Sequence, residues 1–127
     1  MNDVLLIVED EKDMQDLMKR YIKKAGLEID IYSAYSGEEG IEKYRELMES
    51  GKKPDLVIMD LKMPGMDGVE ATKRIMKLDK NANIYGFTAF FDTEWSDRLL
   101  KAGAKKIIPR YLGFDGLVKE LKAFYGK

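Results

Sequence analysis

Four places along the chain carry groups able to do chemistry, and each stands at the end of a short apolar run. Glu9-Asp10-Glu11 follows VLLIV, Asp60 follows LVIM, Thr88 closes IYGFT and Arg110 follows KIIP. If those runs are neighbouring strands, the carboxylates converge and repel one another, so they need a cation or a raised pKa. All-oxygen ligation with room for water suits Mg²⁺, with Mn²⁺ as the other choice. A carboxylate beside such an ion can attack a phosphoryl group and become an aspartyl phosphate. The phosphoryl oxygens then need donors, which a hydroxyl (Thr88), a cation (Arg110) and backbone N–H groups after a strand would supply.

Each group also has an ordinary reading. The acidic triplet suits the N-terminus of a helix, Asp60 suits a turn, and Thr88 is a β-branched strand residue. What sets them apart is their coincidence at successive strand exits. Composition narrows the rest. The chain has 127 residues, no cysteine and no histidine, which excludes disulfides, thiol catalysis and imidazole acid–base chemistry. Its 22 basic and 23 acidic residues are well mixed and give a net charge of −1, whereas a nucleic-acid footprint needs a clustered basic excess. No segment has the length of a signal peptide core or a membrane span, so a cytoplasmic location and no membrane partner are expected.

The elements that position these residues alternate along the chain. Val4–Val8 reads as a strand covered on both faces. Met14, Leu17, Met18, Tyr21, Ile22 and Ala25 repeat at helical spacing up to Gly26. Residues 29–35 alternate as an edge strand does. Ser36 and Glu39 have capping-box spacing and open a helix with Ile41, Tyr44, Leu47 and Met48 on its buried stripe. Leu56–Met59 is a second buried strand. After the turn-rich KMPGMDG comes a helix with Val69, Thr72, Ile75 and Met76, and Gly65 and Gly68 are expected to take conformations that other residues resist. Residues 84–88, 92–102 and 106–109 follow as strand, helix and strand, and Phe114, Leu117, Val118, Leu121 and Phe124 line a last helix. Five such β–α units predict an α/β fold with a mostly parallel sheet and helices on both faces, whose ligand site lies beyond the carboxyl ends of the strands.

With LLIVEDE, DLVIMDLKMPGMDG, the pair Thr88-Ala89 and AGAKKII in place, the chain resembles the receiver domains of response regulators in two-component signalling, of the stand-alone CheY-like kind. The likeness runs over essentially all of residues 1–127, which are expected to form a single receiver domain. It implies a flavodoxin-like, doubly wound five-stranded parallel sheet of order 2-1-3-4-5. It also implies roles. Asp60 would be the phosphoacceptor and the catalytic carboxylate. Asp10 and Asp60 would ligate Mg²⁺ with the backbone carbonyl of Lys62, and Glu9 would act through a metal-bound water. Thr88, Ala89 and Arg110 would form the phosphoryl-binding and switching group. A sensor histidine kinase or a histidine phosphotransfer protein would be the donor. The face made by the fourth helix, fifth strand and fifth helix would bind a target protein, in a monomer or a phosphorylation-dependent homodimer. Such a protein is a switch, not a turnover enzyme.

The sequence departs from the family at three places. Arg110 falls where receivers carry a lysine, Tyr111 where a proline follows it, and Ile107 where a switching Tyr or Phe is common. A guanidinium is longer and planar, a different mimic of a compact ammonium, and it is expected to reach Asp60. Without the proline, the Arg110–Tyr111 bond is expected to be trans. Aligning Pro109 with the family proline would put Ile108 in the lysine position and require deleting two residues from a short strand. Trp95 and Leu99 are expected on a core-facing stripe, although Phe90, Phe91, Trp95 and Tyr111 also lie near enough in sequence to stand in for the missing aromatic. Lys62 is expected to lean over the phosphoryl group. Two other readings remain: a receiver-like docking or dimerisation module no longer switched by phosphate, and a phosphatase of the haloacid dehalogenase type. The latter wants a second aspartate where this chain has Lys62.

Overall fold

The computed structural model describes residues 3–127. Its elements are β1 (Val4–Val8), α1 (Lys12–Lys24), β2 (Asp30–Ala34), α2 (Gly37–Glu49), β3 (Leu56–Met59), α3 (Gly68–Leu78), β4 (Ile84–Thr88), α4 (Glu94–Ala102), β5 (Lys106–Pro109) and α5 (Gly113–Tyr125), with a 3₁₀ turn at Arg110–Leu112. All strand pairs are parallel and the sheet order is β2-β1-β3-β4-β5, as the sequence predicts.

Period-two alternation divides the interior into two cores. Leu6 and Val8 of β1, Val57 and Met59 of β3 and Ile84 of β4 meet Ile41 and Tyr44 of α2, Ile75 of α3 and Leu99 of α4. On the other face Leu5, Ile7, Leu56, Ile58, Phe87 and Ile108 meet Met18 and Ile22 of α1 and Leu117 and Leu121 of α5. Both faces of β1 and β3 are therefore covered, and both strands are uniformly apolar. Residues 9, 60 and 110 continue the phase of the second core, the face covered by α1 and α5. Thr88 belongs to the opposite phase.

Several local expectations change. The buried stripe of α1 is Gln15, Met18 and Ile22, while Tyr21 turns outward and stacks on Phe114 of α5 at 4.9 Å between ring centroids. The helix expected from residue 92 starts at Glu94, because Asp92 has φ 53 and Thr93 caps the helix by a reciprocal box with Ser96. Ser36 caps α2 as expected, its hydroxyl accepting from the Glu39 N–H at 3.0 Å. Gly65 is left-handed, with φ 76, but Gly68 is required for a different reason. A Cβ at residue 68 would collide with the Asp60 carbonyl oxygen and lie 3.0 Å from Leu61 Cα, where α3 begins against the end of β3.

Gly68→Ala therefore pushes backbone against backbone directly beneath Asp60. We expect it to cost about 1–3 kcal/mol in chemical denaturation, and a fully stable variant would show that the turn relaxes freely.

Candidate functional site

Val8 pairs with Met59 across β1 and β3, so Glu9 and Asp60 leave the sheet side by side. One carboxylate oxygen from each of Glu9, Asp10 and Asp60 lies within 4.8 Å of the others. Glu9 is only 1% exposed. Backbone donors are already turned toward the cluster: the Glu11 N–H donates to Glu9 Oε2 at 3.0 Å, and the Leu61 N–H to Asp60 Oδ1 at 2.8 Å.

These contacts only partly offset the cost of crowding. Burial, with the Asp60 charge and the Asp10 contact adding to it, pushes Glu9 up to about 7 against the lowering effect of the Glu11 N–H and Arg110. Burial likewise raises Asp60 to about 6, opposed by Arg110 and the Leu61 N–H and reinforced by Asp10 and Glu11. Three hard oxygen donors so close together fit a small divalent cation such as Mg²⁺.

Arg110 does reach Asp60, and it does more. Its terminal nitrogen lies 3.4 Å from Asp60 Oδ1 and 3.2 Å from Glu9 Oε1, and donates to the Phe87 carbonyl at 2.9 Å. The guanidinium rests 4.7 Å from the centre of the Phe87 ring, and its Nε is buried without a partner. Arg110, not Ile108, is thus the cation at this strand exit. Its peptide bond to Tyr111 is trans, since no cis bond occurs among the described residues. The chain leaves Arg110 in a 3₁₀ turn that puts Tyr111 outside, 72% exposed and paired with Phe91 at 5.0 Å.

Thr88 is buried, and its Oγ1 accepts from the Phe90 N–H at 3.0 Å; Ala89, between them, is exposed. Ile107 packs in the core shared with Leu99. The Lys62 side chain departs from expectation. Instead of leaning over Asp60, its Nζ sits 3.6 Å from the Trp95 ring centre and 5.7 Å from that of Phe90, and Lys62 and Asp60 form no ion pair among the described residues. Arg98 also lies on Trp95, at 4.6 Å. Leu99 is buried as expected, whereas Trp95 is only half-buried, packing at the core's edge as a platform for cations.

Sequence reading overlooked Gln15. It is fully buried, and its amide donates to the carbonyls of Ile7 (2.9 Å), Ala34 (2.9 Å) and Glu9 (3.2 Å). The signal was available: the chain's only glutamine stands in the inward helical series 15, 18, 22, where an apolar residue is the default. Four surface grooves of about 420 to 490 Å³ are lined by other residues. The carboxylate oxygens of Glu9, Asp10 and Asp60 are spaced closely enough to meet on one ion.

Comparison with known proteins agrees with this geometry. Residues 5–122 match the response regulator receiver domain family. The chain is 43% identical over 108 residues to the chemotaxis protein CheY of Thermotoga maritima, covering 85% of each chain. It is 32% identical over 125 residues to the response regulator GacA of Pseudomonas viridiflava, covering 95% of this chain and 54% of that protein. Among solved structures, the T. maritima response regulator TrrA in complex with Mg²⁺ and beryllofluoride superposes with a TM-score of 0.78 at 33% identity, covering 96% of this chain and 98% of TrrA. A CheX–CheY–BeF₃–Mg complex from Borrelia burgdorferi gives 0.82 at 26% identity, covering 98% of this chain and 90% of the other. The chain belongs to the response regulator receiver domain family and is a CheY-like receiver of two-component signalling.

Proposed function

We propose that this receiver is a Mg²⁺-dependent phosphoacceptor at Asp60 whose phosphorylation switches protein–protein binding. The observation that carries the reading is the convergence of Glu9, Asp10 and Asp60 with Arg110 reaching into the cluster. Asp10, Asp60 and the Lys62 carbonyl would hold the ion directly and Glu9 through a water; Mn²⁺ has the same donor preference. When bound, the ion offsets the carboxylates' charge and that of the incoming phosphoryl oxygens.

The chain's own groups divide the rest. Raised only to about 6, the Asp60 carboxyl is mostly ionised at neutral pH and can act as nucleophile. Its oxygen attacks phosphorus as the phosphorus–nitrogen bond of a partner's phosphohistidine breaks, and the electron pair leaves on the imidazole, which takes up a proton. Arg110 sits close enough to Asp60 to donate to a phosphoryl oxygen there, and the Thr88 hydroxyl would trade its contact with the Phe90 N–H for another. The donor is a sensor histidine kinase or a histidine phosphotransfer protein, because this chain has no histidine. Output is a protein contact through the face of α4, β5 and α5, where Leu100 of α4 and, in the 3₁₀ turn between β5 and α5, Tyr111 and Leu112 are exposed, either to a target or to a second copy. The protein changes its own phosphorylation state without acting as a turnover enzyme. One observation favours the other reading, a docking or dimerisation module indifferent to phosphate: Arg110 already gives Glu9 and Asp60 a cation.

Incubation with acetyl phosphate and Mg²⁺ separates the two. We expect a phosphoryl mass increment that Asp60→Asn or chelation of Mg²⁺ abolishes; no modification and no Mg²⁺ binding at millimolar levels would leave the docking module. Arg110→Ala should slow the modification about 100-fold, the usual effect of losing one preorganised donor. Lys62→Ala should change the phosphoryl lifetime several-fold by releasing the turn after Asp60 from its hold on Trp95, and unchanged decay would remove Lys62 from the chemistry.

A pH series adds a test without phosphate. Glu9 and Asp60 bind protons more tightly in the folded chain than in the unfolded one, so they favour folding at low pH. That contribution is lost as pH rises through about 6 and about 7. Metal-free protein should therefore lose stability between pH 5 and pH 8 in urea titrations, Glu9→Gln should flatten the loss, and Mg²⁺ should reverse it. A flat profile in the parent protein would show that neither carboxyl is shifted.

A further inference from the structure

The β1–β2 ladder closes where the Glu9 N–H donates to the Ala34 carbonyl at 3.0 Å. The next carbonyl along β1, that of Glu9, has left the sheet, and α1 begins three residues later. Of all the described residues, only Gln15 donates a hydrogen bond to it. The same amide nitrogen also reaches the Ile7 and Ala34 carbonyls, so two N–H hydrogens are shared over three acceptors on two strands. One side chain from the second turn of α1 thereby fixes the point at which β1 turns into Glu9-Asp10-Glu11. It is fully buried, contributes no charge, and its Oε1 accepts nothing from the protein. A simple helix-packing role would be filled better by leucine or methionine, which carry no amide to desolvate.

We propose that Gln15 is a positioning residue for the acidic loop: its amide pins the Glu9 backbone so that the Glu9 and Asp10 carboxylates are held toward Asp60. The inference rests on the reading of those carboxylates as the Mg²⁺ site, and it deepens that reading by assigning the site's rigidity to a group outside the cluster. Losing a hydrogen-bonded support of this kind typically costs 10- to 100-fold in metal affinity.

The test compares Gln15→Met, which keeps volume and removes the donors, with Ile22→Val. The latter thins the same buried stripe without touching the three carbonyls. Calorimetric titration with MgCl₂ should show affinity reduced about 10-fold or more in Gln15→Met and changed less than twofold in Ile22→Val. Amide hydrogen exchange on metal-free protein gives a second readout, with Glu9 and Glu11 expected to exchange at least tenfold faster in Gln15→Met than in Ile22→Val. If Gln15→Met is too unstable to measure, Gln15→Asn keeps the amide on an arm too short to span all three carbonyls and should move both readouts the same way. Parent protein that fails to bind Mg²⁺ would count against the metal site alone, since the exchange comparison still decides whether Gln15 holds the loop. Mg²⁺ affinity and loop exchange in Gln15→Met no different from Ile22→Val would overturn the proposal.

Discussion

Like-charge crowding at the carboxyl end of the sheet is the constraint to which the surrounding structure responds. Two full charges about 5 Å apart in an effective dielectric of about 20 repel by roughly 3 kcal/mol, and Glu9, Asp10 and Asp60 place three carboxylates at that spacing or closer. Relief comes in three forms. Burial and mutual repulsion raise Glu9 and Asp60 so that part of the charge is removed by protons. The N–H groups of Glu11 and Leu61 turn back onto their neighbours' carboxylates. Arg110 is brought from the far end of the chain, 101 residues from Glu9, to lie against both buried acids. Taking any one away increases the load on the others.

Arginine suits this arrangement in a way that lysine would not. Its fork sets one terminal nitrogen against Glu9, Asp60 and the Phe87 carbonyl while the guanidinium carbon sits over the Phe87 ring, 4.7 Å from its centre. A lysine ammonium has three donors but no flat surface to stack. The change from proline to Tyr111 belongs to the same local solution. Free of a proline, the chain passes from Pro109 into a 3₁₀ turn, and Tyr111 is carried outward to Phe91. The pocket keeps its positive charge, and the loop leading to α5 is rebuilt around a different side chain.

Most of this was legible in the sequence because it follows from alternation. Extending the phase of Leu5 and Ile7 to residue 9, of Leu56 and Ile58 to residue 60, and of Ile108 to residue 110 puts all three groups on one sheet face. Parallel register then puts two of them side by side. Less legible were contacts that no period encodes. Lys62 lies in a turn, and its direction is set by the indole of a helix more than thirty residues on. Gly68 reads as a conformational glycine but serves close approach, which depends on how tightly α3 docks under β3. Tyr21 fits the apolar stripe of α1 and yet leaves it, because Phe114 offers a ring beside the core. Gln15 was visible only as an exception to a pattern, and its acceptors come from two strands.

The same alternation argues for where a change of charge at Asp60 would be felt. Glu9, Asp60 and Arg110 share the face of α1 and α5, but Thr88 lies in the opposite phase, toward α3 and α4. Two links run from beside the strand exits to that second layer. Thr88 holds the Phe90 N–H, and the Phe90 carbonyl in turn accepts from the hydroxyl of Thr93, the residue that caps α4. Lys62, two residues beyond Asp60, lies on Trp95 in the first turn of α4. Both links end at the N-terminus of one nine-residue helix. One runs through the Thr88 oxygen, which accepts from the Phe90 N–H, and the other through Lys62 on the Trp95 ring that it shares with Arg98. Neither resembles the packed interior of β1 and β3. Helix α4 is therefore the element at whose first turn the contacts of Thr88 and Lys62, beside two different strand exits, come together.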